Sequence, residues 1–139
     1  MLDVTNKTAV KTAIESCINE NARAMSDELV AGKYKIVGID DPQTIENSSG
    51  KWLPVNLKGN NRECVVSIKT LCNAKGFIFG TRDIRERAMM IVEKGVGKEI
   101  ELEKVESVTR TRRRDTEYGK AGETFETKVH TFKQKDWTK

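Results

Sequence analysis

The stretch Glu99-Ile100-Glu101-Leu102-Glu103 alternates charged and apolar side chains and opens a run that continues to about Thr111. A period of two marks a strand with one buried and one wet face. The alternation slips near Lys104-Val105, which predicts a β-bulge, one extra residue that bends the strand. Arg112 to Glu123, with Gly119 and Gly122, predicts a hairpin loop. Thr124 to Lys133 returns as the final strand, with Phe125, Thr127, Val129 and Thr131 on one face.

Upstream, Tyr34 to Ile39 predicts a first strand, ended by Asp40-Asp41-Pro42. Trp52, Leu53, Val55 and Leu57 predict a second, in which Pro54 marks an edge or a bulge. Gly59-Asn60-Asn61 is a hairpin signal, because glycine and asparagine tolerate positive φ. Cys64 to Ile68 is the third strand. After a turn over Leu71 to Gly76 comes a short apolar piece, Phe77 to Phe79. A helix follows, capped at Thr81, striped by Ile84, Ala88, Ile91 and Val92, and stopped at Gly95. Ahead of all this, Thr8 to Met25 has Val10, Ile14, Cys17, Ile18 and Met25 at helical spacing. That amphipathic helix is expected to serve as a lid or as an oligomer contact.

The order strand, strand, strand, helix, strand, strand matches an OB-like barrel of five strands within a β-rich α+β chain. The Phe77–Phe79 piece is an element this scheme does not need. The expected divisions are an N-terminal helical segment over 1–32, a barrel over 33–133 and a short polar tail over 134–139.

At 139 residues the chain has room for one ordinary core. Its hydrophobic fraction of 37% is low and its charged fraction of 33% is high, so much of it is solvated surface. No apolar run approaches the roughly 18 residues of a membrane span, and no signal pattern opens the chain, so a cytoplasmic location without membrane contact is expected. Three widely spaced cysteines and the single His130 do not form a zinc pattern. Residues 1–31 carry net charge −2, residues 32–97 carry +4 and residues 98–139 carry +2. A moderately basic β-body is compatible with a polyanion partner.

Catalytic signals are weak. Gly95-Val96-Gly97-Lys98 lacks the early glycine and the Ser/Thr of a phosphate-binding loop, with Val92 and Glu99 in those places. His130 has no nucleophile or acid near it in a catalytic arrangement. Asp40-Asp41 would need a further acid to hold Mg²⁺. The chain is therefore expected to be non-enzymatic, with no cofactor and no metal.

The strongest functional signal is Thr109-Arg110-Thr111-Arg112-Arg113-Arg114, four guanidiniums within five residues, followed by Tyr118 and Lys120. Such charge repels itself unless it is solvated, paired with acids such as Asp115 and Glu117, or neutralised by an anion. In an OB barrel this hairpin frames the ligand groove. The expectation is a single-stranded nucleic-acid binder, ssDNA favoured, with little sequence specificity and a homo-oligomer built through the N-terminal helix. Arg110, Arg112, Arg113, Arg114, Lys120, Lys33, Lys35 and Lys51 would track phosphates, while Trp52 and Tyr118 stack bases. The rival expectation is a structural or assembly protein, such as a virion or complex subunit, using the hairpin for protein contacts. The bland alternative is a solvated hairpin, with Trp52, Phe77 and Phe79 in the core.

Overall fold

The computed structural model describes residues 1–17, 25–45, 50–116 and 119–139. Helix α1 (Lys7–Ser16) begins where the Asn6 side chain accepts a hydrogen bond from the Ala9 N–H at 3.1 Å. Its stripe of Val10, Ala13 and Ile14 is buried. The expected continuation of this helix toward Met25 falls mostly on 18–24, outside the described residues.

Among the described residues eight strands follow: β1 (Gly32–Ile39), β2 (Gln43–Thr44), β3 (Lys51–Trp52), β4 (Pro54–Gly59), β5 (Arg62–Ser67), β6 (Lys75–Ile78), β7 (Glu99–Thr111) and β8 (Thr124–Asp136). Two further helices are α2 (Ile68–Cys72), between β5 and β6, and α3 (Ile84–Gly95), between β6 and β7. Six strands form one sheet in the order β5-β4-β1-β7-β8-β6, and β2 and β3 make a separate two-stranded pair. The two-residue turn Asn60-Asn61 joins β4 to β5, with φ of 50° and 60°. Positive φ at both positions matches the twist of a tight hairpin.

Alternate residues of the strands supply the main core. Ile36 faces Leu57 across β1 and β4, Leu57 faces Cys64, Tyr34 faces Ile100, and Leu102 faces Phe132. All of these are buried in one cluster with Val10 and Ile14 of α1, Leu71 of α2, and Ala88, Ile91 and Val92 of α3. The helices thus cover one face of the sheet, with α3 packed against both α1 and α2. Each fully buried Leu, Ile or Phe contributes about 1.5–3 kcal/mol in transfer terms. The other face carries Lys33, Lys35, Lys58, Glu63, Glu99 and Glu101, none of them buried.

No barrel closes, which corrects the OB-like expectation. Closure would need the last strand to reach back toward the third. Instead β6 runs parallel to β8 and occupies its outer edge. The apolar piece that the barrel scheme left over is therefore what keeps the sheet open. The far edge, β5, is covered by the chain itself: Asp27 N–H donates to the Val65 carbonyl at 2.8 Å, and the Asp27 carboxylate accepts from Val65 N–H at 2.8 Å. Ser26 Oγ accepts from Ser67 N–H at 2.8 Å. Unpaired backbone at an edge invites pairing with other chains, and these contacts engage it at Val65 and Ser67.

The stripe of α1, expected to serve as a lid or as an oligomer contact, is buried in the chain's own core, covering the sheet rather than a closed barrel. At the other end, β8 runs to Asp136 and Trp137 is buried, with Phe77 and Phe79 packed on its indole.

Candidate nucleic-acid interface

The sheet is not uniform along β7 and β8. β1 pairs with β7 only through Leu102, and β6 pairs with β8 only from Thr131 onward. From Val105↔His130 to Thr111↔Thr124, seven residue pairs of β7 and β8 have only each other as strand neighbours. At about 3.4 Å per residue these pairs make a two-stranded arm about 20 Å long. The register shifts between Leu102 and Lys104, at the root of this arm. The bulge expected near Lys104-Val105 is therefore present, at Glu103.

The root is tied down by charge. Lys104 Nζ lies 2.8 Å from Glu106, and Lys128 Nζ lies 2.9 Å from Glu28. The hydrogen bond from Lys128 holds the Glu28 carboxyl below its ordinary range, and that from Lys104 does the same for Glu106. Arg62 also donates to the Glu28 carbonyl. The segment before β1 therefore links the β5 edge to the arm.

Past the last pair the chain turns through an organised loop. Arg112 N–H donates to the Glu123 carbonyl at 2.8 Å, Gly122 N–H donates to the Arg112 carbonyl at 2.9 Å, and Thr116 pairs with Gly119. The Asp115 carboxylate accepts from Ala121 N–H at 2.8 Å. Asp115 thus fastens the loop's backbone, and no ion pair joins it to an arginine among the described residues. The Arg112 guanidinium sits over the Phe125 ring, 4.7 Å from its centre, and reaches Thr116 Oγ1 at 3.4 Å. A side chain on Gly119 would meet Arg112 Nε at 2.6 Å, so glycine there makes room for the stacked guanidinium.

The expected site residues do not come together in one place. Arg110, Arg113, Arg114 and Lys120 are exposed on the arm and its loop, with no ion pair among the described residues. Arg112 is half-buried and braces the loop. Tyr118, together with Glu117, lies outside the described residues.

Lys33 and Lys35 stand elsewhere, on the open face of the body. Register places Lys33 beside Glu101 and Lys35 beside Glu99. Lys133 holds Glu101 at 2.8 Å. This face is a lattice of alternating sign, unlike the tip. Lys51 and Trp52 precede β4, at the end of the sheet where β1 finishes, whereas the arm leaves the end where β1 starts. Seven residue steps along β1 put about 23 Å between them and the arm's root. Trp52 is 7% exposed and packs with Ile45, Met25 and Val65. It presents no free ring to a base.

Sequence reasoning missed Phe125 and Gly119 as supports of the tip. The sequence signal is weak: alternation places Phe125 in the last strand, but its pairing with Arg110 and its stacking under Arg112 depend on register. Among the described residues no group of three or more His, Cys, Asp or Glu side chains is placed to hold a metal ion. No helix among them is long and apolar enough to cross a membrane. No known protein family, curated protein or solved structure matches this chain.

Proposed function

We propose that this chain is a non-enzymatic nucleic-acid-binding protein that engages its ligand through the tip of the β7–β8 arm. One observation carries the reading: Arg110, Arg113, Arg114 and Lys120 stand exposed on a projecting arm, without an ion pair among the described residues, while Asp115 is engaged by the backbone. Guanidiniums held this close favour an anion, and Arg suits phosphate through its rigid fork of donors. Contacts to phosphate carry no sequence information, which fits a binder of low specificity. The single-strand form of the reading asked for aromatic platforms beside the charge. Among the described residues Trp52 is buried at the opposite end and Phe125 lies under Arg112, so the proposal rests on charge.

The test is a titration of a fluorescent oligonucleotide across salt concentrations with the wild type and with Arg110, Arg113 and Arg114 changed to alanine together. Affinity should fall steeply with salt, and the variant's slope should be shallower by about 3, roughly one per lost phosphate contact. Absence of binding at low salt would overturn the proposal. The assembly reading keeps one observation of its own. The arm's strands have no further strand neighbour among the described residues, so a neighbouring chain has backbone to pair with. A mass that rises with protein concentration, unaffected by the three alanines, would favour it.

A further inference from the structure

We infer that the arm takes double-stranded DNA and seats its ribbon in the major groove. This rests on the nucleic-acid reading above and specifies the ligand by shape. A two-stranded ribbon has its strands about 4.8 Å apart, and a sheet with its side chains is about 10 Å thick. The major groove of B-form DNA is about 12 Å wide and admits such a ribbon, whereas the minor groove, about 6 Å wide, does not.

The side chains along the arm agree with close approach. On one face, beyond Ser107 and the Lys128 that Glu28 holds, register pairs Thr109 with Glu126 and Thr111 with Thr124. On the other it pairs Val108 with Thr127 and Arg110 with Phe125. Small hydroxyl side chains can donate to and accept from base edges or phosphates alike, and the Thr methyl suits the thymine methyl. The seven pairs include two acids, Glu106 and Glu126, and Glu106 is already held by Lys104 at 2.8 Å. Arg113 and Arg114, exposed in the loop past the last pair, then reach the phosphates that wall the groove.

Single strands and duplex RNA fit less well. Single-strand binders stack bases on exposed aromatic rings, and among the described residues the arm's one ring, Phe125, lies beneath the Arg112 guanidinium. The major groove of A-form RNA is too narrow for side chains to read.

The experiment is fluorescence anisotropy on one sequence prepared as duplex DNA, single-stranded DNA and duplex RNA, at about 50 mM salt. Duplex DNA should bind at least about tenfold more tightly than either other probe, a difference of about 1.4 kcal/mol. Bulky glucosyl groups in the major groove should weaken it, and the minor-groove ligand netropsin should not compete. Thr109→Trp widens the ribbon and keeps every tip charge. It should weaken duplex binding and leave the salt slope unchanged, with unaltered thermal unfolding showing that the fold is intact. Equal or tighter binding of the single strand, or competition by netropsin, would overturn this inference while the broader nucleic-acid reading stands. No binding to any of the three probes would overturn both.

Discussion

Phe132 and Phe125 lie seven residues apart on the same strand, yet they live in different surroundings. Phe132 is 1% exposed, faces Leu102 and stacks on Phe77 with ring centres 4.5 Å apart. Phe125 is half-buried, faces Arg110 and is covered by a guanidinium. The strand that carries both is regular. The difference lies in what stands behind it: in the body a helical layer and strands on both flanks, in the arm a single partner strand. A lone two-stranded ribbon is marginal in water, whereas strands packed against helices form a cooperative core. The contrast divides one hairpin into a structural half and a half free to meet a ligand.

The largest way to break this contrast is to truncate both rings. Phe132→Ala should cost about 3–5 kcal/mol of stability, because it removes a fully packed ring from the core. Phe125→Ala should cost about 1 kcal/mol, the scale of an exposed cation–π contact. Denaturant unfolding measures both, and equal losses would show that the arm belongs to the cooperative core.

A second difference concerns the dryness of the body. Its three cysteines are all buried, and burial pushes the Cys72 thiol up to about 12 from an ordinary value of 9.0. Burial raises Cys17 and Cys64 as well. A thiol that binds its proton more tightly when folded gives stability that is complete below about pH 9 and declines as pH rises toward 12. Stability should therefore fall on the alkaline side. At neutral pH a thiol reagent should modify the native protein slowly and all three cysteines rapidly once it is unfolded. Rapid labelling of the native protein would show the core to be open.

The smallest effect separates neighbours within the tip. Arg112→Ala should cost about 1 kcal/mol, since it removes the guanidinium over Phe125 and the contact with Thr116. Arg113→Ala and Arg114→Ala should change stability by less than about 0.5 kcal/mol, since both side chains are exposed. Thermal unfolding distinguishes them, and three equal values would deny Arg112 its bracing role.

Local pattern carried much of this organisation. The alternation from Glu99 to Leu102 marks a strand with one face in the core, and the loop from Arg112 to Glu123 lies between the observed strand ends. Asn60 and Asn61 take the positive φ that their residue types suggested. The stripe of Ile84, Ala88, Ile91 and Val92 is a helix, although its cap is Asp83, whose side chain accepts from Arg85 N–H. Contacts distant in sequence were not legible. The pairing of Lys75 and Ile78 with Thr131 and Asp136 joins segments more than fifty residues apart, and no local pattern encodes it. The same pairing leaves the sheet open and places Phe77 against Phe132 and Trp137. Helix α2 was hidden because Ile68 to Cys72 is only five residues long and adjoins a strand of similar composition. Of the candidate site, the arginines were legible as charge. Their separation from Trp52 and Lys51 depends on which end of β1 the arm leaves.

The register shift at Leu102 works as a phase setter for everything beyond it. Because side chains alternate along a strand, one extra residue turns all later positions by half a turn relative to the body. With the shift, Arg110 stands across from Phe125. Without the shift, continuing the register of Leu102 and Phe132 with Glu103 paired would set Arg110 across from Thr124, on the side the helices cover. A single residue at the root therefore chooses the direction in which the charged end looks. Deleting Glu103 would regularise the ladder and keep Arg110 across from Phe125, whereas pairing Glu103 in register would turn the arm over while leaving the packed body as it is.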